Sequence, residues 1–502
     1  MSNIKSLAGQ TMWYGLSSIA ARLINYLLTP YLTYAAAIQP SDFGKMALVY
    51  AAIPLLNVLF TYGFETAYFR FSSKSEQSSK IYSTAAISMF LSTILFAALL
   101  WQYQTLFGRF TGLTDYPRLI QLCIGIIAID TLSVIPFARL RQEGRPIKYA
   151  AAKIVGILVN VFLTWFFISY CSTTVAANPN SWVAGFYDAN QNPITYVLLA
   201  NLVQSVITLL FLTKEITQIR FEFDFKLWMR MILYSLPLVI AGMGGMINET
   251  FDRLMIRWWG QGDALYRDAQ VGIYNACYKL SILITLFIQA FRLGAEPFFF
   301  RQAEGRDPQK TYARVMKFFV IVITIMFLMV TLFMPIWKHF IGPRYWEGLA
   351  IVPILLLANM FLGIYYNLSI WYKLSNKTGA GAIITLMGVV ITILINYLFI
   401  PKYGYMACAW ATFTCYGLMM VVSYRWGQKH YRIPYAWKKL TAYMVIVLLL
   451  FFIHKGITTW FTSPILSMAI GALLLSFYLW LLAKIERKEL AGMPHLGKYF
   501  KR

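Results

Sequence analysis

Four polar stripes run through otherwise apolar stretches of this chain, and their residue types suit the recognition of charge rather than covalent chemistry. In the first stretch Thr11, Tyr14, Ser18, Arg22, Asn25 and Thr29 recur at steps of three or four, one face of a helix. A second stripe holds Tyr50, Pro54, Asn57, Thr61 and Glu65, a third gathers Asn248, Glu249, Asp252 and Arg253, and a fourth runs through Thr285, Gln289, Arg292 and Glu296. A charged group at bilayer depth is costly, so such groups line a cavity or pair with one another. Arginine's planar fork takes phosphate oxygens two at a time, and low dielectric strengthens the contact. Arg22, Arg253 and Arg292, with Asn25 and Asn57 beside them, are therefore the expected lining of an anion site. The blander alternative stays open: Arg253 neutralises Glu249, at the i, i+4 spacing of an ion pair, or Asp252, and Arg292 reaches out to the membrane surface. Arg22 has no acid on its own helix. Lys279 lies roughly 140° around the helix from the Arg292 stripe and is expected to face another neighbour. Asp130 is a lone acid at depth, either packed against a Ser or Asn or functional.

These stripes need membrane-crossing helices to carry them. Of the 502 residues 59% are hydrophobic and only 13% charged, the composition of an integral membrane protein. Apolar stretches of roughly 20 residues, the length that crosses the hydrocarbon core as a helix, fall at residues 11–36, 45–67, 81–104, 117–138, 149–172, 194–213, 231–258, 271–295, 315–337, 348–371, 380–400, 405–424, 438–454 and 463–483. Fourteen spans follow, the eleventh and twelfth joined so closely through "IPKYGYM" that they form a tight hairpin. The first carries Arg22 mid-span and ends without a small-residue cleavage pattern, which argues against a signal peptide.

Thirty-one of the 44 lysines and arginines fall at one end of this layout, in alternate loops and both tails, and eight at the other. The bias places both termini in the cytoplasm. It also accounts for the net charge of +24 as topology signal and attraction to anionic lipid, so no nucleic-acid partner is expected. The five cysteines have no metal-like spacing, and no metal or organic cofactor is expected.

"FETAYFR", residues 64–70, closes the second span, and "AEPFFFR", residues 295–301, closes the eighth with the same Glu-x4-Arg spacing. Gly44 and Gly272 correspond at the starts of the same two spans. An offset of six spans keeps orientation, so a parallel repeat is expected: an all-α polytopic protein of two six-helix lobes related by a pseudo-twofold axis near the membrane normal, plus two extra helices. The boundaries are residues 1–226, 227–437 and 438–502. Glu65 and Glu296 then stand at the cytoplasmic mouth, where each pairs with basic residues of the other lobe when that mouth closes, and governs gating more than affinity.

"AGQTMWYGLSSIAARLINYLLTPYLT", "DFGKMALVYA", "FETAYFRF", "NETFDRLMI" and "YKLSILITLFIQAFRLGAEPFFF" resemble the oligosaccharide flippases of the O-antigen and exopolysaccharide (Wzx-like) type, whose superfamily also holds the MATE drug exporters and the lipid II flippase MurJ. The resemblance spans nearly the whole chain. It implies an inner-membrane transporter, not an enzyme, that moves an undecaprenyl-diphosphate-linked oligosaccharide from the cytoplasmic to the periplasmic leaflet by rocking two lobes. Cell-surface polysaccharide assembly proteins such as the polymerase would be its partners, alongside membrane lipids. By the same resemblance Arg22 foremost would hold the diphosphate, the last two helices would shape a groove for the lipid tail, and a proton or sodium gradient, or the membrane potential, would supply energy through Glu249, Asp252 or Asp130.

Two other classes compete. A MATE-like exporter of cationic drugs would want an acidic cavity, which the acids of the seventh span allow and Arg22 opposes. A membrane polymerase or ligase would display acid–base or nucleophilic groups in a sizeable outer loop. The longest such loop, residues 172–193, has no His, Lys, Arg or Glu and only Asp188. No Gly-x4-Gly-Lys loop is present for ATP.

Overall fold

The computed structural model describes residues 23–72, 78–303, 307–375, 377–460 and 463–489, apart from Asn25 and Lys488. Thirteen helices among these residues are long and apolar enough to cross a membrane, and no strand occurs among them. We number the helices by span. The described part of α1 is residues 23–24 and 26–34. There follow α2 (Pro40–Thr61), α3 (Ser78–Gln102), α4 (Pro117–Gln142), α5 (Pro146–Trp165), α6 (Ile194–Phe211), α7 (Phe225–Thr250), α8 (Ala264–Gln302), α9 (Pro308–Thr331), α10 (Val352–Leu368), α11 (Thr378–Tyr403), α12 (Tyr405–His430), α13 (Trp437–Trp460) and α14 (Pro464–Ile485). Five of them (α2, α4, α5, α9 and α14) open on a proline, whose missing N–H costs nothing in the first turn. The α11–α12 hairpin turns on the single residue Gly404, whose φ of +55° favours glycine.

Of the spans that are broken where an unbroken helix is expected, two carry polar-stripe residues. α2 ends at Tyr62 and Gly63, both left-handed (φ 34° and 72°), and a separate helix, Phe64–Ser72, carries "FETAYFR". "AEPFFFR", by contrast, lies inside the continuous 39-residue α8. The two motifs therefore sit on different local structures, and the side chains of Glu296 and Arg301 lie outside the described residues. α7 stops at Phe251 and restarts as Asp252–Trp259.

α3, α4, α5 and α6 pack on one another, as do α8 to α12, and α13 and α14 lie against α9. α7 touches both groups: Leu227 and Met231 join a cluster with Phe64, Tyr68, Ile81 and Tyr82, while at its other end Asn248 donates to the Thr385 carbonyl (3.1 Å) and accepts from Tyr416 at its own carbonyl (3.2 Å). The boundary expected after residue 226 falls at the start of a helix whose first turns pack on the preceding group.

The two groups meet where α2 crosses α8. A Cβ on Gly44 would fall on the carbonyl of Asp268, four residues before Gly272, and a Cβ on Gly272 would fall on the carbonyl of Pro40, four residues before Gly44. The exchange is reciprocal, as at a twofold axis. This crossing lies at the arginine-poor end of the bundle, where further contacts tie the halves together. Thr33 Oγ1 accepts from the Gly342 N–H (3.1 Å), Arg344 donates to Gln39 Oε1 (3.1 Å), Tyr26 stacks on Phe340 (4.4 Å) and Phe43 meets Tyr345 edge-on (5.5 Å). Toward the basic end α8 turns its rings to α9 instead: Phe287 and Phe291 lie against Phe319, and Phe299 against Tyr312.

Candidate functional site

Directly below the glycine crossing, α1, α2, α5, α6, α7 and α8 enclose a cavity of about 320 Å³. Its polar wall comprises Thr29, Tyr50, Asn160, Glu249, Thr250, Arg253, Asn275, Tyr278 and Lys279. Asn275 and Lys279 are one turn apart on α8, so both point to the same side.

Arg253 lies at the start of the segment after Thr250 and is held by its own neighbours in sequence. Its Nη1 donates to Asp252 Oδ1 (2.6 Å) and to the backbone carbonyl of Glu249 (2.7 Å), not to the Glu249 carboxylate as the i, i+4 spacing suggests. The guanidinium lies over the rings of Tyr278 (4.3 Å) and Tyr274 (5.3 Å). Asp252 also accepts from the Tyr274 hydroxyl and, at 2.9 Å, from the Arg253 N–H. Acid and base cancel in one buried pair, with one edge of Arg253 on the cavity. Lys279 differs: it faces the same cavity, and among the described residues no carboxylate lies within ion-pair distance of it. Arg253 is its charged neighbour.

The wall formed by the first helices is hydrogen-bonded behind its surface. Asn160 donates to Gln204 Oε1 (2.7 Å) and accepts from Thr164 (3.0 Å), while Asn201 donates to the Tyr50 hydroxyl (2.8 Å). Asp130 lies behind Tyr50, near Ser205 and in electrostatic reach of Lys153.

Of the residues expected from sequence, the cavity brings together Arg253 and Glu249, with Asp252 just behind. Asn57 is half-buried on α2 and does not line it. Arg292 is placed elsewhere, over the Tyr366 ring at 4.0 Å, in a small recess shared with Phe291, Phe299 and Lys373. Glu65 pairs with Arg141 at the end of α4, on its own side of the bundle. Arg22 and Asn25 lie outside the described residues, as does the Glu296 side chain. Sequence reasoning set Lys279 aside and passed over Asn160 and Asn275. The available signal was a mid-span lysine with Asn275 at i−4 and no acid at i±3 or i±4.

Outside the membrane spans, Glu486 and Glu489 fasten the end of α14. Burial pushes the Glu486 carboxyl up, but hydrogen bonds from Lys439, Tyr443 and Lys317 outweigh it and hold it below the usual range. The hydrogen bond from Lys317, with its charge and that of Arg314, holds Glu489 low as well. No group of three or more potential metal ligands occurs among the described residues.

Residues 7–302 match the family described as "polysaccharide biosynthesis protein". The fold is that of a lipid II flippase MurJ in an inward closed conformation, with a TM-score of 0.71 and 14% identity over 94% of this chain and 99% of that one. An inward-facing multidrug resistance MATE transporter gives 0.62 and 13% over 84% and 95%, and a MATE protein in the straight conformation 0.59 and 14% over 88% and 96%. At these identities the likeness is one of fold. No curated protein matches.

Proposed function

The chain belongs to the polysaccharide biosynthesis protein family and has a multi-pass transporter fold, and from that premise we propose that it flips a lipid-diphosphate-linked oligosaccharide from the cytoplasmic to the periplasmic leaflet of the inner membrane. One observation carries the reading: a cavity inside the bundle has two cations in its wall, and Lys279 has no acid partner among the described residues. An unpaired ammonium at that depth is expensive unless an anion visits it. A diphosphate supplies such an anion, and Arg253, already fixed by Asp252 and two tyrosines, can add one oriented hydrogen bond. Tyr50 and Tyr278 offer ring surface and hydroxyls to the first sugar. A 320 Å³ space is at the lower limit of ligand pockets, about enough for a diphosphate and part of a sugar, so the longer glycan enters a more open form.

Cytoplasmic termini, alternating access and a tail groove on α13 and α14 belong to the same proposal, as does energy from a proton or sodium gradient or the membrane potential. Glu249 in the wall and Asp130 behind Tyr50 are the carboxylates we assign to coupling. Glu65, held by Arg141 here, exchanges that partner as the cytoplasmic mouth closes; a Glu65→Gln variant with weakened binding and normal access from both sides refutes its gating role.

Glu249 also favours a second reading, a MATE-like exporter of cations. Reconstituted vesicles with a labelled lipid-diphosphate oligosaccharide decide between them. Flipping that is lost in Lys279→Gln and in Arg22→Ala supports the proposal, and flipping unchanged in both sinks the site. Export of a cationic dye, with no movement of lipid-linked sugar, establishes the exporter.

A further inference from the structure

A second recess, of about 220 Å³, opens at the arginine-poor end between the start of α8, the end of the Asp252–Trp259 helix and the α11–α12 hairpin. It shares no residue with the central cavity. Only eight lysines and arginines serve this end by sequence, yet two of them, Arg267 and Lys402, converge here with the carboxamides of Gln261 and Gln270. Of the nearby acids Asp268 is neutralised by Arg257 (2.7 Å), while Asp263, which accepts the Tyr266 N–H (2.8 Å), and Glu347, within 3.4 Å of the Gln270 amide, keep their charge but lie outside the recess lining. Among the described residues, neither Arg267 nor Lys402 has a carboxylate partner. Two helix N-termini, at Ala264 and Tyr405, and two C-termini, at Trp259 and Tyr403, meet at the same walls, so their partial charges offset and the cationic character rests on Arg267 and Lys402.

Depth and shape name the ligand class. Tyr397 and Tyr403 are exposed on α11, and Trp259 meets Tyr397 edge-on at 5.3 Å, the aromatic belt of a membrane interface. Below Lys402 the i, i+4 ridge of α11 continues through Leu398, Leu394 and Val390, which are 56%, 54% and 65% exposed. A cationic recess at headgroup level thus sits atop an apolar track running into the bilayer. We propose that this recess binds the phosphate of a membrane lipid in the leaflet at the arginine-poor end, with Arg267 and Lys402 as its ligands and the acyl chain along α11. The phosphate belongs either to bulk phospholipid or to an isoprenyl diphosphate.

The full-length protein, delipidated and then offered equal amounts of phosphatidylglycerol and uncharged diacylglycerol, is read by native mass spectrometry. One phosphatidylglycerol per chain is expected to be retained in preference to diacylglycerol, and the Arg267→Gln/Lys402→Gln variant to retain about tenfold less. The charge-preserving Arg267→Lys/Lys402→Arg variant retains most of it, which separates charge recognition from misfolding. Equal retention by the Gln variant, at unchanged melting temperature, overturns the proposal. Farnesyl diphosphate added in competition assigns the source: displacement points to isoprenyl diphosphates, and none to bulk phospholipid.

Discussion

Adding one methyl group at the α2–α8 crossing tests whether that contact holds the arginine-poor end shut. In Gly44→Ala the new Cβ meets the Asp268 carbonyl, and in Gly272→Ala it meets the Pro40 carbonyl. Both obstacles are backbone, so no rotamer change relieves them and the helices must part. Overpacking of this kind costs about 1–3 kcal/mol. Charged to the sealed form alone, it shifts the balance toward the open form by roughly 5- to 150-fold. The two substitutions are not additive: separation forced by one makes room for the other, so the double variant should fall short of the sum. The assay joins Gln39→Cys and Arg344→Cys, whose native side chains hydrogen-bond across the seal at 3.1 Å, with a short bis-maleimide. All five native cysteines are buried, which keeps the background low. We expect the ratio of sealed to open protein, read as the cross-linkable over the non-cross-linkable fraction, to fall at least about fivefold in either alanine variant and to stay unchanged in Gly456→Ala, where an added Cβ meets nothing within 4 Å. Normal cross-linking in well-folded Gly44→Ala or Gly272→Ala protein, or an effect at one glycine only, would refute the reciprocal contact as the seal.

Two further outcomes follow from the charge networks. Arg253→Gln leaves the Asp252 carboxylate buried with Tyr274 as its remaining side-chain donor, a loss of about 3–5 kcal/mol that a melting curve detects, whereas adding Asp252→Asn should restore most of it; equal loss in single and double variants contradicts the pair. Glu486 and Glu489 are depressed in the folded protein, so their contribution is complete above the ordinary glutamate value of about 4.3 and disappears as pH falls through the folded values. Hydrogen exchange over residues 482–489, corrected for intrinsic rate, should rise below about pH 4 and should already be raised at pH 7 in Lys317→Met, which loses bonds of 3.0 Å to both acids; flat protection across that range refutes the strap.

How far the sequence was legible depended on whether a feature belonged to one helix or to several. Span count, the Gly404 hairpin and the Gly44–Gly272 correspondence were all readable, because length, a left-handed turn and a repeated residue leave local marks. The partner of Arg253 was not. The i, i+4 spacing puts Glu249 and Arg253 on one face of a helix, but the guanidinium meets the Glu249 carbonyl and the carboxylate of Asp252, the residue next to it in sequence, a pairing that helix-face reasoning does not rank. "TYGF" held the cue for the break after α2, since Gly63 tolerates the left-handed turn that separates Glu65 from α2. Glu65 and Arg141 are 76 residues apart, and no single-helix periodicity relates them.

The same reasoning explains why Lys279 outranks Arg292 as a cavity cation although both are mid-sequence bases on α8. Thirteen residues at about 100° each turn them to different neighbours. Arg292 finds the face of Tyr366 on α10, within its own group of helices, and Lys279 faces the space that α2 and α7 share with α8. A stripe drawn on one helix ranks residues by shared direction; only the packing of α8 against its two sides says which direction is the cavity. The lysine on the cavity is therefore the one that the stripe left out.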